Sequence, residues 1–373
     1  MDLDARCEPV LAAARTHAAE VDAEARFPTE AVAALRACGL LGLTLPVQAG
    51  GLGAGPVEFA EVTAGLAAAC GSTAMVYLMH VSAAMTLAAA PPPALPEVLP
   101  AMASGRTLAT LAFSEPGSRS HFWAPISQAA HDGDGHIRLA ADKSFVTSAG
   151  HADLYVACTL AEAGDGAVDL YAISAATPGL TVAGAWRGMG LRGNASSPMR
   201  LDVLLGDGHR LGMPGGGFAL MTATVMPWFN LGNAAVSVGL ASAAAEAAIA
   251  HATTARLQHT GQTLAELPTV RARIARMALR LAATQGYVRT AAASIAAPDG
   301  QTGLHVLGVK ALANDAALEV TDEAMRICGG AAFSAHLQLE RFFRDARAGH
   351  VMAPTADVLY DFYGKAVTGQ PLF

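Results

Sequence analysis

Apolar positions follow a helical period at both ends of the chain and a shorter, alternating period in the middle. In the first third, Val32, Leu35 and Cys38 recur at helical spacing behind Pro28, and Gly39 offers a stop. Proline suits a first helical turn, where its missing N–H has no intrahelical partner. The glycine-rich stretch GLLGLTLPVQAGGLGAG (Gly39–Gly55) reads as a connection. A long apolar helical region, Val57 to Ala90, follows it and is expected to break near Cys70-Gly71. From Thr107 onward the texture changes. HIRLA, FVTSA, DLYVACTL, VDLYAIS, LTVAGAW and MRLDVLL are short, often alternating and β-branched, with turns such as DGDG (Asp132–Gly135) and AGDG (Ala163–Gly166) between them. Such runs predict a small antiparallel barrel or sandwich. They do not alternate with long helices, which argues against a parallel Rossmann sheet.

After Gly215-Gly216-Gly217 the helical period returns. Three long helices are expected at Phe218–Gln258, Leu267–Ala297 and Gly303–Cys328, the last stopped by Gly329-Gly330, and a shorter one at Ala356–Thr368. The expected class is therefore α+β and mostly helical. A helical domain spans 1–106, an antiparallel β-barrel domain 107–214 and a four-helix bundle 215–373.

Composition narrows the function classes. The chain has 373 residues, a net charge of -7 and 15% charged residues, with no basic block, so nucleic acid is not an expected partner. Mean hydropathy is +0.36. The greasiest runs, Ala74–Ala90 and Ala234–Ala250, are rich in alanine and carry His80 and Glu246, so no membrane span is expected. Cys7, Cys38, Cys70, Cys158 and Cys328 are scattered without CxxC spacing, which suggests free thiols in a reducing compartment. The acidic start MDLDARCEPV lacks a long apolar core and does not read as a signal peptide. Together these point to the cytoplasm. The histidines show no metal-ligand spacing, and no metal is expected.

GMGLRG (Gly188–Gly193) matches the dinucleotide pattern GxGxxG, which works only between a strand and a helix. NASSPMRLDVLL follows it and reads as turn then strand, so the match is set aside. HExxH, GxSxG and the P-loop pattern do not occur.

Three other stretches are more specific as a set: LAFSEPGSRSHF (Leu111–Phe122), KSFVTSAGHADLYV (Lys143–Val156) and MRICGGAAFSAHLQLERFFRDARAG (Met325–Gly349). In this order, inside a helix–β–helix layout and together with GMGLRGNASS and GLLGLTLPVQAGGLG, they resemble the acyl-CoA dehydrogenase family along nearly the whole chain. The resemblance implies three domains around a flavin, FAD or else FMN, lying between the β domain and the bundle. It implies that Leu111, Phe113 and Ser114 run along the flavin ring and that Ser120 lies near the pyrophosphate. Phe145, Val146 and Thr147 match a Trp-Ile-Thr run whose threonine hydroxyl reaches flavin N5. Arg326, Gly329 and Gly330 match a stretch that holds the adenylate end from the neighbouring subunit, so a homodimer or homotetramer is expected. Thr355 and Asp357 are placed beside the cofactor, with helix capping as the competing role for Asp357.

Two departures from the family pattern stand out. In ARLQHTGQTL (Ala255–Leu264), Thr260 replaces an aromatic residue and Arg256 is displaced by about one position from the family's arginine. Secondly, Ala353, in VMAPT, occupies the usual place of the catalytic glutamate, and the alternative location, MPWFNLGN (Met226–Asn233), holds no carboxylate. An alanine side chain cannot take a proton, although its backbone N–H can still polarise a carbonyl. His121 and His80 are the first candidates for a replacement base, followed by His350 and Asp357, with packing or capping as the competing roles. The expected activity is hydride transfer from an acyl thioester or related small molecule, such as acyl-CoA or a carrier-bound acyl group, to flavin N5. Electron-transfer flavoprotein or a flavin reductase is the expected redox partner. The alternatives are a monooxygenase that uses reduced flavin and O2, and a flavin-binding protein without turnover.

Overall fold

A computed structural model describes the chain except for Met1, Ser120, Gly133 and 163–165. The N-terminal region holds α1 (Leu3–Glu24), α2 (Thr29–Ala37), α3 (Pro56–Ala69), α4 (Gly71–Ala89) and α5 (Val98–Ala103). The expected break is at Cys70, whose extended backbone separates α3 from α4. Gly39 adopts φ +72 just past α2, a conformation that costs glycine little.

Seven strands follow: β1 (Ala109–Ala112), β2 (Ala129–His131), β3 (Ile137–Val146), β4 (Leu154–Leu160), β5 (Val168–Ser174), β6 (Leu180–Val182) and β7 (Ser197–Leu205). No closed barrel forms among the described residues. The strands make two open sheets, ordered β1-β4-β5 and β2-β3-β7-β6, and β1 runs parallel to β4. The parallel pair arises because the chain crosses through β2 and β3 before returning beside β1, and parallel neighbours require such a crossover. Burial alternates along β3 and β7, whose outer face meets water, whereas β4 and β5 are buried almost throughout. One face of the three-stranded sheet joins the helical core through Leu111, Val156 and Leu170; the other meets the second sheet through Tyr155, Tyr171 and Ile173. A strand covered on both faces loses its alternation. FVTSA is not a strand of its own: it ends β3, where Phe145 takes φ +56.

The C-terminal region begins with α6 (Gly217–Leu220), which passes through a wider π-type turn (Met221–Val225) into α7 (Met226–Thr254). Then come α8 (Pro268–Ala296), α9 (Thr302–Cys328), α10 (Gly330–Phe333), α11 (Leu339–Val351) and α12 (Ala356–Val367). Helix α11 was not expected. It carries RFFRDARAGH, whose charges hide a face formed by Leu339, Phe342 and Ala346. By length and composition, Gly71–Ala89 and Gly217–Thr254 are apolar enough to cross a membrane, but 83% and 61% of their most apolar windows are buried inside this fold, as in a core helix.

Candidate functional site

A cleft of about 780 Å³ opens between the β sheets and the helices that follow them. That lies within the usual range for a small-molecule site. One wall is the edge strand β1 and its continuation, with Leu111, Phe113 and Ser114, joined by Phe145, Thr147 and Ser196. The opposite wall is the last two turns of α11 and the residues after it, from Arg344 to Ala353. Met75 and Met79 of α4, and Val225 and Phe229 around the π-type turn, close the back.

The β wall is braced from behind. Glu115 and Lys143 form a buried ion pair. The Glu115 carboxylate also accepts the N–H groups of Ile126 at 2.7 Å and Ser127 at 2.8 Å, together with the Ser127 hydroxyl. Burial pushes the pKa of Glu115 up, but the Lys143 charge and these bonds outweigh it and hold the carboxyl below its ordinary value. Glu115 is the one acid lining the cleft among the described residues, and all its strong acceptor positions are taken. On the inner surface, the Thr147 and Ser196 hydroxyls lie 3.0 Å apart.

The helical wall is braced differently. Lys310 of α9 is fully buried and donates to the carbonyls of Gly349 at 2.9 Å, Met352 at 3.1 Å and Pro354 at 2.8 Å. Burial pushes its pKa down to about 7, while the three carbonyls favour the charged form. Ala353 lines the cleft, and its N–H has no acceptor among the described residues.

The other sequence candidates are spread out. His80 is fully buried in α4; its Nδ1 accepts the Ala109 N–H at 3.0 Å and its Nε2 donates to Leu41 O at 2.8 Å. Burial pushes its pKa down to about 4, so the ring is neutral and both nitrogens are occupied away from the cleft. His121 is exposed, edge-on to Trp123 with ring centroids 5.2 Å apart, and does not line the cleft. His350 turns toward α9, where its Nδ1 lies 3.3 Å from Asp315. Asp357 is exposed in the first turn of α12, and Thr355 precedes that helix; neither reaches the cleft lining. Val146 points into the core between the sheets. Arg326, Gly329 and Gly330 lie at the end of α9, outside the cleft, with Arg326 and both glycines open to solvent and Phe333 85% exposed nearby. Arg256 donates to Gly261 O at 2.8 Å and so folds back on its own turn. Ser120 lies outside the described residues. GMGLRG is a loop before β7, and Gly190 packs so closely on the Arg344 backbone that a Cβ would lie 2.5 Å from its carbonyl oxygen.

Sequence reading did not single out Ser196, Glu115 or Lys310. Lys310 did carry a signal: it is a lone lysine on the apolar face that Val306, Val309, Ala313 and Ala317 define.

Models of the acyl-CoA dehydrogenase N-terminal, middle and C-terminal domains match residues 8–106, 110–204 and 215–368. The chain is also 30% identical over 349 residues to a probable acyl-CoA dehydrogenase, FadE25, of Mycobacterium tuberculosis, covering 92% of this chain and 88% of that protein. The chain belongs to the acyl-CoA dehydrogenase family. Butyryl-CoA dehydrogenase from Megasphaera elsdenii shares the fold, with a TM-score of 0.92 over 99% of this chain and 98% of that one at 22% identity. KijD3, solved with FMN and a dTDP-linked amino-keto sugar, has a TM-score of 0.87 at 25% identity, over 99% of this chain and 93% of its own.

Proposed function

We propose that this member of the family is a flavin-dependent oxidoreductase that acts on an acyl thioester or related small molecule without a side-chain base at the acyl α-carbon. One observation carries the reading: the cleft lies between the β sheets and the later helices, where the resemblance implies a flavin, yet its one lining acid among the described residues is saturated and Ala353 presents a methyl group. The residues fit a flavin. The outer edge of β1 is unpaired in its sheet, although Ser114 O beyond it already accepts the Ser144 N–H at 2.8 Å, and the Thr147 hydroxyl, paired among the described residues with Ser196 alone, keeps hydrogen-bonding capacity. A bound flavin, FAD or FMN, would supply two-electron redox chemistry that no side chain here can provide. The chain would contribute the Thr147 hydroxyl at the ring edge, apolar walls that exclude water, and the Ala353 N–H as a donor to a substrate carbonyl. Arg326, Gly329 and Gly330 are read as a surface that receives the adenylate end of a partner subunit's FAD.

The same missing base favours a second reading, a monooxygenase that uses reduced flavin and O2, since oxygen transfer does not need an α-proton acceptor at position 353. The experiment compares wild type with Ala353→Glu, both loaded with flavin. Anaerobic acyl-CoA is expected to bleach the variant about 10²–10⁴-fold faster than wild type, the usual worth of a positioned base. Equal rates, with both proteins bleaching fast, would show a working base elsewhere and end the reading. Oxygenated product from wild type given reduced flavin and O2 selects the second reading. A protein that takes up no flavin ends both.

A further inference from the structure

We infer that Lys310 is a positioning residue that turns the peptide N–H of Ala353 toward the cleft, where it serves as a donor to a substrate carbonyl. This rests on reading the cleft as a thioester site. Lys310 has no carboxylate partner among the described residues; its ammonium is held by the Gly349, Met352 and Pro354 carbonyls. Asn314, four residues further along α9, donates to Gly349 O at 2.7 Å and shares the load. A buried ammonium is costly unless acceptors surround it. The carbonyls at the C-terminal end of α11 carry partial negative charge and meet that need.

The effect on Ala353 follows from peptide geometry. The Met352–Ala353 peptide is trans, and in a trans peptide the C=O and N–H point to opposite sides. The Met352 carbonyl faces Lys310, which is buried behind the wall. The N–H of Ala353 therefore points away from Lys310, on the side where Ala353 lines the cleft, and no protein acceptor among the described residues meets it. The lysine thus holds the one polar group that this wall offers at position 353.

Two variants test this. Lys310→Met keeps the length and removes the donor. Ala353→Pro removes the N–H itself; Met352 already has φ −69 and ψ 138, a conformation that accepts a following proline. The probe is hexanoyl-CoA carrying ¹³C at its thioester carbonyl, bound to flavin-loaded protein and read by isotope-edited infrared spectroscopy. In wild type the carbonyl band is expected below its solution position. In either variant it returns to the solution position and Kd weakens about tenfold, the worth of one hydrogen bond. The double variant is expected to be no worse than the singles. A lowered band retained in Lys310→Met overturns the proposal.

If wild type does not take up the thioester, the proposed substrate class falls and the positioning role is judged by amide exchange alone. Faster exchange in residues 349–355 of Lys310→Met, with α7 and α8 unchanged, supports it; unchanged exchange there overturns it. Should Lys310→Met fail to fold, Lys310→Leu, which also lacks a donor, is read in the same two ways.

Discussion

The two walls of the cleft are each backed by a fully buried lysine, and the difference between them is informative. Behind the β wall, Lys143 pairs with the Glu115 carboxylate, which also gathers backbone N–H groups and a hydroxyl. Behind the helical wall, Lys310 meets only carbonyls among the described residues. The first arrangement ties β3, β4 and the loop between β1 and β2 together around one side-chain ion pair, Lys143 also donating to Cys158 O. The second acts on backbone, so it is indifferent to which side chain stands at position 353. A wall held in this way can lose its carboxylate and keep its shape. The β wall lacks that tolerance, because its bracing groups neutralise one another.

The sharpest way to break the comparison is Lys143→Met. It leaves Glu115 buried beside an empty partner position, and removing one member of a buried pair costs about 3–5 kcal/mol. Urea unfolding should show that loss, and Lys143→Met combined with Glu115→Leu should recover a large part of it. No recovery would mean that packing, rather than charge, dominates the brace.

A second test addresses the support behind β1. His80 joins the Leu41 carbonyl to the Ala109 N–H at the start of that strand. Its pKa is pushed down to about 4 in the fold, so between there and its ordinary value near 6.5 the unfolded chain binds more protons. Its contribution is fully present above pH 6.5 and is lost as pH falls toward 4. Asp345, at the back of the helical wall, works the other way. It is fully buried, accepts the Leu191 N–H at 2.6 Å and is pushed up to about 6 by burial. The fold therefore binds more protons than the unfolded chain between about pH 4 and 6, and Asp345 adds stability as pH falls through that window. Each effect is worth up to about 3 kcal/mol. Denaturation midpoints from pH 7 to 4 should fall less steeply than in wild type for His80→Gln and more steeply for Asp345→Asn. Parallel curves for all three proteins would show that neither group titrates in this range.

Much of this arrangement was legible in the sequence, for identifiable reasons. The long helices follow from period and glycine stops, and the bounds of α8, α9 and α12 fall within a residue or so of expectation. That an alanine stands where the resemblance places the family's glutamate was readable because a motif surrounds position 353. The sheet arrangement was not legible: strand runs give length but not partner, and the parallel β1–β4 pair depends on a crossover. Helix α11 was hidden by its charges, although Arg344 and Glu340 pair with each other on one face. The histidines show the limit most clearly. A lone His80 on an apolar helix looks the same in sequence whether it faces a cleft or, as here, joins two backbone segments. Lys310 presents the same kind of pattern, a single ionisable residue on an apolar face, and only the carbonyls around it reveal its role.

The smallest expected effect separates wall from brace. Thr147→Val removes a hydroxyl from the cleft lining whose one hydrogen-bond partner among the described residues is Ser196 Oγ, at 3.0 Å. Ser196 is 5% exposed, so it loses a partner but keeps access to whatever enters the cleft. Losing one neutral hydrogen bond costs about 1 kcal/mol, and the cost should appear mainly in flavin binding, since the hydroxyl fits a ring edge. Flavin titration should show roughly fivefold weaker binding, with an unfolding midpoint close to wild type. If the fold instead weakened as much as in Lys143→Met while flavin affinity stayed the same, Thr147 would belong to the bracing of the β domain. The Thr147 hydroxyl would then count with the Glu115–Lys143 brace rather than with the surface that meets the flavin, and the contrast between wall and brace would disappear on the β side.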